Sequence, residues 1–570
     1  MKAGDDTQRR GGEPVELAQT PTDPWWRDLV GLLIALGGAA LCVQAYLQQH
    51  SLFIDEALLL ENVLSRGWGE LAQPLAKEQA APVGFVYLLK LSIAWLGDDK
   101  LGFRAVPMAA AVTSMFLFCL FIRQLVRGWP AWFGMAVFAA GSWTTYYAQQ
   151  TKQYTVELAV ALLLFLLMGW IARRGLCIWR LAVFAVVGAL ATWFSVTAVM
   201  VLAGCGVVLL VLAVRGKRPA LVAAVLGVGV VWVCGFLLQY ALVLSEYRGS
   251  DYLVEYWRPF YLRVIPRLPH RIFGQLSGVF IRPVDLQMHQ LGFALWAIGL
   301  CVAVRSKRAL PWALVVAWAT LAGLSFLGHY PYGDRQVIFA LPILVGLMAM
   351  GLGWLNESGR PGHVIAVVLA CAVAASPVFT AGNVKADDEL EPVLLELGER
   401  VQPGDIVWVD RGAAYMTQFL QARSDDYDLA PATVQFTELA SGQRHWVLDE
   451  LRGLDDQSRV WLLMSHAMGR QGVDELVYVQ LLAKQQGQKL DMIVSGDTVA
   501  ALFDFTADPH DVPPPAGSQS DLDEHPADLA PTEPPSDEAS PSVDSLETET
   551  ETDSETTPAP APTPEPESPR

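Results

Sequence analysis

Charge is scarce in this sequence. Of its 570 residues, 17% are Asp, Glu, Lys or Arg and 53% are hydrophobic, whereas soluble domains carry roughly 25% charged residues. Much of the charge is also confined to one place. Residues 511–570 hold 16 Asp and Glu against the single basic residue Arg570, so this stretch accounts for −15 of the net charge of −18. The rest is nearly neutral, with no basic field of the kind that nucleic acid requires. Cysteine is sparse too. Cys42, Cys119, Cys177, Cys205, Cys234, Cys301 and Cys371 are scattered through apolar stretches with no C-x-x-C pair, which signals neither a disulfide framework nor a zinc site. They read as small apolar packing residues, and no metal or other cofactor is called for. The first 27 residues contain Arg9, Arg10 and Arg27 but lack the apolar core and cleavage site of a signal peptide, so the first apolar helix is expected to remain as an anchor.

What the chain does have is long apolar runs. Several approach the ~20 residues that span a bilayer as helix. Eleven spans are expected, at about 28–48, 102–123, 131–149, 154–172, 180–196, 198–214, 219–243, 289–304, 309–327, 335–354 and 363–380. Basic residues orient them. Arg123 and Arg127, Arg173, Arg174 and Arg180, Arg215, Lys217 and Arg218, Arg305, Lys307 and Arg308, and Arg360 all follow even-numbered spans. The positive-inside rule makes that side, and the N-terminus, cytoplasmic. The expected fold class is therefore a polytopic α-helical membrane protein with a polar N-terminus (1–27), a membrane domain (28–383), a small α/β domain (384–506) outside the cytoplasm and a tail (507–570).

In the α/β region, Pro403-Gly404 turns into Ile406–Val409, a helical pattern runs to about Gln421, and Val460–Met464 precedes a helix near 472–486. Met492–Val494 and Val499–Phe505 read as closing strands. No Gly-rich phosphate loop follows any of them. Ser465-His466 lacks a Gly-x-Ser-x-Gly elbow and reads as a strand end. The tail is rich in Pro, Glu, Asp, Ser and Thr without an aromatic residue, a composition expected to be disordered.

Three segments remain on the outer side. The first loop, 49–101, begins with Phe53-Ile54-Asp55-Glu56-Ala57-Leu58 and carries two amphipathic stretches, about 56–70 and 82–97, suited to lie along the interface. Two carboxylates at a lipid–water boundary are costly unless paired or used. They form either a charged collar that ends the helix or a base for an attacking hydroxyl. A second outer turn, Tyr146–Gln153, is either an aromatic belt with an anchoring Lys152 or part of a site with Tyr154. Glu157, one turn inside the next span, is placed as carboxylates facing a polar cavity are. The third loop, about 245–288, holds Arg248, Arg258, Arg263, Arg267, Arg271 and Arg282, which are either solvated or hold an anion. Farther along, Gly328-His329-Tyr330-Pro331-Tyr332-Gly333-Asp334-Arg335 leads into span 10. Arg335 there either grips a phosphate or pairs with Asp334, and His329 reads as a turn residue.

The ordered set Asp55-Glu56, Gln79-Ala80-Ala81-Pro82, Arg104-Ala105-Val106-Pro107, and Gln150-Thr151-Lys152-Gln153-Tyr154 with the aromatic turn before Arg335 resembles the C-type (GT-C) superfamily of membrane glycosyltransferases. Its relevant branch includes protein O-mannosyltransferases, lipid A aminoarabinose transferases and lipopolysaccharide galacturonosyl transferases. The likeness covers roughly residues 28–355. This chain has the Gln-Ala-x-Pro form where the mannosyltransferases have His-Pro-Pro. The resemblance implies an inverting transferase of a bacterial inner membrane. It would take a sugar from a polyprenyl-phosphate donor and pass it to a lipid, glycan or protein acceptor at the periplasmic face. On this reading Asp55 is the base, with Glu56 beside it. Lys152, Tyr154 and Arg335 meet the donor phosphate, while Glu78, Gln79, Glu157 and Tyr332 position substrate. A divalent cation is compatible with such a site and not demanded. The alternative from another class is a transporter or flippase for a lipid-linked or anionic solute, against which stands the lack of an internal repeat of the spans.

Overall fold

A computed structural model describes residues 25–77, 79–245, 256–264, 270–382, 389–437, 450–451, 453–454, 459–465, 479–481, 483–485 and 487–507. Glu78, Arg248, Arg267, His466, the first 24 residues, most of the expected helix near 472–486 and the acidic tail lie outside them. Among the described residues, eight helices are long and apolar enough to cross a membrane. They are α1 (Trp25–Gln48), α4 (Lys100–Leu125), α7 (Tyr154–Arg174), α9 (Ala198–Arg215), α10 (Pro219–Gln239), α13 (Ala309–Phe326), α14 (Leu341–Glu357, with the turn before it) and α15 (Gly359–Thr380). Large apolar side chains such as Leu33, Val186, Val230, Val233, Val364 and Val368 are exposed on these and neighbouring helices. Such a surface suits lipid rather than water.

The three other expected spans are shorter helices. The stretch expected at 131–149 is broken into α5 (Trp129–Ala140) and α6 (Ser142–Ala148), because Gly141 between them takes extended backbone. α8 (Ile178–Phe194) and α12 (His289–Arg305) have 17 residues each. α8 and α9 are separated by a short turn in which Ser195 Oγ receives the Ala198 N–H at 3.1 Å. The two amphipathic stretches of the first loop are α2 (Ile54–Ser65) and α3 (Val83–Leu96), and α11 (Arg271–Ile281) lies in the third loop. Asp55 and Glu56 thus open α2, five residues beyond the end of α1, rather than closing the first span.

The interior of the membrane bundle centres on α14, in which every residue from Leu341 to Gly353 is buried. Close approach explains its glycines. A Cβ on Gly299 of α12 would lie 1.8 Å from the Leu347 carbonyl oxygen, and one on Gly351 would lie 2.1 Å from that of Leu295. Small residues let helix backbones touch where no hydrophobic effect drives them together. A tether joins α7 to α4 beside the proline within α4: the Thr155 hydroxyl donates to the Pro107 carbonyl at 2.9 Å.

The C-terminal domain is a five-stranded sheet in the order β2-β1-β3-β5-β4, made of β1 (Ile406–Val409), β2 (Thr433–Phe436), β3 (Val460–Met464), β4 (Gln488–Ser495) and β5 (Thr498–Asp504). β1 pairs in parallel with β2 and β3, while β5 runs antiparallel to β3 and β4. Val407, Val409, Trp461 and Leu463 face α16 (Leu390–Arg400) and α17 (Arg411–Gln421), and alternation turns Trp408 and Leu462 to the opposite core. The first of these cores does not stop at the domain. It continues through Leu52, Ala57 and Leu60 around α2 and Phe103 of α4, so the α/β domain and the first loop share one apolar interior.

Candidate functional site

Helix geometry separates the two adjacent carboxylates, since neighbours in a helix point about 100° apart. Glu56 turns inward and is fully buried. Arg104, equally buried, donates from Nε to Oε1 at 3.1 Å and from Nη2 to Oε2 at 2.8 Å. The same carboxylate receives the Phe53 N–H at 3.0 Å and the Thr151 N–H at 2.6 Å. Arg104 spends its remaining donors on the carbonyls of His50 (2.8 Å) and Ser51 (3.0 Å). Burial works against the Glu56 carboxylate, but Arg104 and the two N–H donors outweigh it and hold its pKa below the usual range. This one side chain therefore fixes the start of α2 to α4 and to the turn before α7.

Asp55 faces the other way, is partly exposed, and receives Arg335 Nη1 at 2.8 Å. The N-terminal turn of α2 favours a negative charge at that position. Arg335 comes from the 3₁₀ turn Asp334–Ala340 ahead of α14, 280 residues away in sequence, and its guanidinium stacks over the Trp257 ring at 5.5 Å. Its Nε is buried and has no hydrogen-bond partner among the described residues. Two more buried polar atoms, Gln149 Oε1 and Thr151 Oγ1 in the turn before α7, likewise have no hydrogen-bond partner among the described residues. Buried polar atoms without partners are uncommon and ask for an explanation.

Lys152, in the same turn, is buried and donates to Gln79 Oε1 at 2.9 Å. Burial pushes its pKa down to about 8, against the pull of Asp55 and Glu56 and with the help of Arg335. These influences place it in the same electrostatic neighbourhood as the Asp55–Arg335 pair. Tyr154 is buried at the start of α7, its ring edge-on to Tyr147 at 4.8 Å. Glu157 lies one turn deeper and accepts the N–H groups of Val196 and Thr197 and the Thr197 hydroxyl. Its carboxyl group links α7 to the N-terminal end of α9. Tyr332 is buried too, and its hydroxyl accepts Trp318 Nε1 at 3.0 Å.

The structure thus brings Asp55, Glu56, Gln79, Lys152, Tyr154 and Arg335 to one end of the bundle, with Glu157 below them. Glu78 lies outside the described residues. Arg104 stood in the sequence motif without a role, and Gln149 and Thr151 were passed over although they flank Lys152. Among the described residues, no three His, Cys, Asp or Glu side chains gather as metal ligands.

The α/β domain supports this end directly. Glu389 accepts His50 Nδ1 and the Ser51 hydroxyl at 3.1 Å each. Glu391, buried, receives the Leu52 N–H at 3.0 Å, Lys100 Nζ at 2.5 Å and the Tyr427 hydroxyl at 3.2 Å. The Tyr415 hydroxyl donates to Glu61, which also pairs with Lys77, and Lys77 Nζ lies 4.1 Å from the Tyr415 ring centre. Lys77 has φ 60°, a left-handed conformation costly for a long side chain. These contacts hold it there, two residues before Gln79.

No family model matches the sequence, and no curated protein matches it. Solved structures similar to this chain include ArnT from Cupriavidus metallidurans in the apo state, at 11% identity over 82% of this chain and 97% of that one, TM-score 0.42. The same protein bound to undecaprenyl phosphate aligns at 11% identity over 84% and 98%, TM-score 0.41. The Archaeoglobus fulgidus oligosaccharyltransferase in its apo form aligns at 8% identity over 82% of this chain and 73% of that one, TM-score 0.47.

Proposed function

We propose that this chain is a membrane glycosyltransferase of the C type, moving a sugar from a polyprenyl-phosphate donor to an acceptor hydroxyl or amine. The observation that carries the reading is the convergence of a partly exposed carboxylate with two cations at one end of an apolar bundle. Asp55 is a quarter exposed, Arg335 and Lys152 stand beside it, and the buried Arg335 Nε has no acceptor among the described residues. A polyprenyl chain confines its phosphate to the lipid boundary, where such an end lies.

The chemistry needs little more. The acceptor oxygen or nitrogen attacks the anomeric carbon, and the bond from that carbon to the phosphate oxygen breaks. Asp55 takes the acceptor proton, and the departing phosphate is stabilised by Arg335 and Lys152. With Nη1 on Asp55, Arg335 still offers its Nε edge to a phosphate oxygen, so one guanidinium can hold the leaving group and orient the base. Tyr154 and Gln79 line the same end and position substrate, while Glu56 and Arg104 fix the backbone that carries Asp55. A single displacement of this kind inverts the anomeric carbon.

The basic residues support an orientation. α4 and α7 start at this end and finish at Arg123 and at Arg173 and Arg174, so the site lies opposite the arginine-rich ends. By the positive-inside rule it faces the periplasm of a bacterial inner membrane, together with the α/β domain.

The test is direct. Purified protein supplied with a polyprenyl-phosphate sugar and membrane extract should release polyprenyl phosphate and form a covalent glycoconjugate, and Asp55→Asn should abolish both while the protein remains folded. Solute movement across vesicles with no covalent product would refute the transferase and establish a carrier.

A further inference from the structure

The opposite end of the bundle carries a second feature that the transferase reading does not use. A cavity of about 1510 Å³ opens there between the ends of α4, α5, α7, α13 and α14. Five cations line it (Arg123, Arg127, Arg173, Lys307 and Arg308) against two carboxylates, Asp28 and Glu357. Asp28 is already committed to Arg123 at 2.5 Å. Arg308 donates to the carbonyl oxygens of Leu125 and Gln124 and has no carboxylate partner among the described residues. Burial, and then the proximity of Arg127 and Arg173, depress the Arg308 pKa below its usual value. Three guanidinium groups are thus held near one another.

The deeper wall is different. Leu163, Leu166, Leu167 and Trp170 of α7 and Leu212 of α9 make it apolar. Solvated arginines alone would need no such wall, and a soluble anion would gain nothing from it. A ligand with a negative head and an acyl tail satisfies both halves, since juxtamembrane cations attract anionic headgroups and basic pockets between helices bind them.

We propose that this cavity binds an anionic phospholipid, its headgroup phosphate among Arg127, Arg173 and Arg308 and an acyl chain along the α7 leucines. The site is separate from the transferase centre and does not rest on it. Occupancy would neutralise the guanidinium cluster and tie the ends of α4, α7 and α13 together.

Native mass spectrometry of the full-length protein in detergent tests this, with phosphatidylglycerol and phosphatidylcholine of identical acyl chains as probes. Wild type should bind phosphatidylglycerol at least about 10-fold more tightly, given what each juxtamembrane basic residue contributes. The double variant Arg127→Gln, Arg173→Gln should bind the two lipids alike. Equal affinity in the wild type, or an undiminished preference in the variant, overturns the proposal. Should the variant fold poorly, a salt series on the wild type decides, because screening at ~1 M salt shortens the Debye length to about 3 Å. The preference should shrink there, and its persistence would count against charge recognition. Displacement of phosphatidylglycerol by low-millimolar inorganic phosphate would assign a free-anion site and overturn the lipid assignment.

Discussion

Replacing each of the two adjacent carboxylates by its amide should separate stability from chemistry. Glu56→Gln leaves the shape nearly unchanged but puts an NH2 group where Arg104 donates from Nε or Nη2. Arg104 then remains fully buried with its positive charge uncompensated. Breaking one side of a buried pair costs about 3–5 kcal/mol, and one of the N–H donors of Phe53 or Thr151 loses its acceptor as well. Asp55→Asn takes the negative charge from a pair that still meets solvent, its side chains 18% and 25% exposed, and such pairs are worth about 0–1 kcal/mol. The assay is the apparent midpoint of thermal unfolding in detergent, followed by tryptophan fluorescence, beside donor turnover. Glu56→Gln should lower the midpoint by at least about 5 °C, whereas Asp55→Asn should leave it nearly unchanged and lose turnover. Equal destabilisation by the two variants would refute the division of labour. So would a Glu56→Gln protein as stable as wild type.

Other substitutions address other parts of the structure. Lys152 has its pKa near 8 in the folded protein and about 10.4 in an unfolded chain, so between these values the unfolded state binds more protons. Folding stability from this group therefore rises with pH across that window, while donor affinity falls as the ammonium is lost. The donor KM should climb above about pH 8, and Lys152→Arg should shift that rise to higher pH; a flat KM in the wild type would remove Lys152 from phosphate binding. Gly299→Ala places a methyl against the Leu347 carbonyl, where the separation would be 1.8 Å, so α12 must move from α14 at a cost of roughly 1–3 kcal/mol or more; an unchanged unfolding midpoint would contradict this. Glu391→Gln loses the Lys100 charge at 2.5 Å and should speed hydrogen–deuterium exchange across residues 49–60, by an amount matching about 1–3 kcal/mol. Exchange identical to wild type would show that the domain does not hold the loop.

Much of the fold was readable because lipid imposes a simple rule: backbone must be satisfied locally, so apolar runs become helices. The breaks were harder. Gly141 divides one expected span in two, and a lone glycine in an apolar run carries no marker of whether its helix continues. In the α/β domain, Val460–Met464 is buried along its whole length and stands out as a strand. Thr433–Phe436 is an edge strand with alternate residues exposed, and four residues give too little pattern to separate it from a loop. α16 escaped notice although Val393, Leu394 and Leu397 repeat at helical spacing.

The site shows where one-dimensional reading must stop. Asp55-Glu56 reads as a pair because the residues are adjacent, and adjacency in a helix is the arrangement that forbids acting together. Residues i and i+1 diverge, so one carboxylate enters the interior while the other stays partly exposed. Which one goes in is decided by partners 48, 95 and 280 residues away, namely Arg104, Thr151 and Arg335. The buried member must find enough donors to offset desolvation, and only the Arg104 side supplies them. The other member pairs with Arg335 and keeps 25% of its side chain exposed, which on the proposed reading leaves Asp55 within reach of the acceptor proton. On the proposed reading, reactivity at this end of the bundle thus depends on the neighbour being wholly consumed by structure.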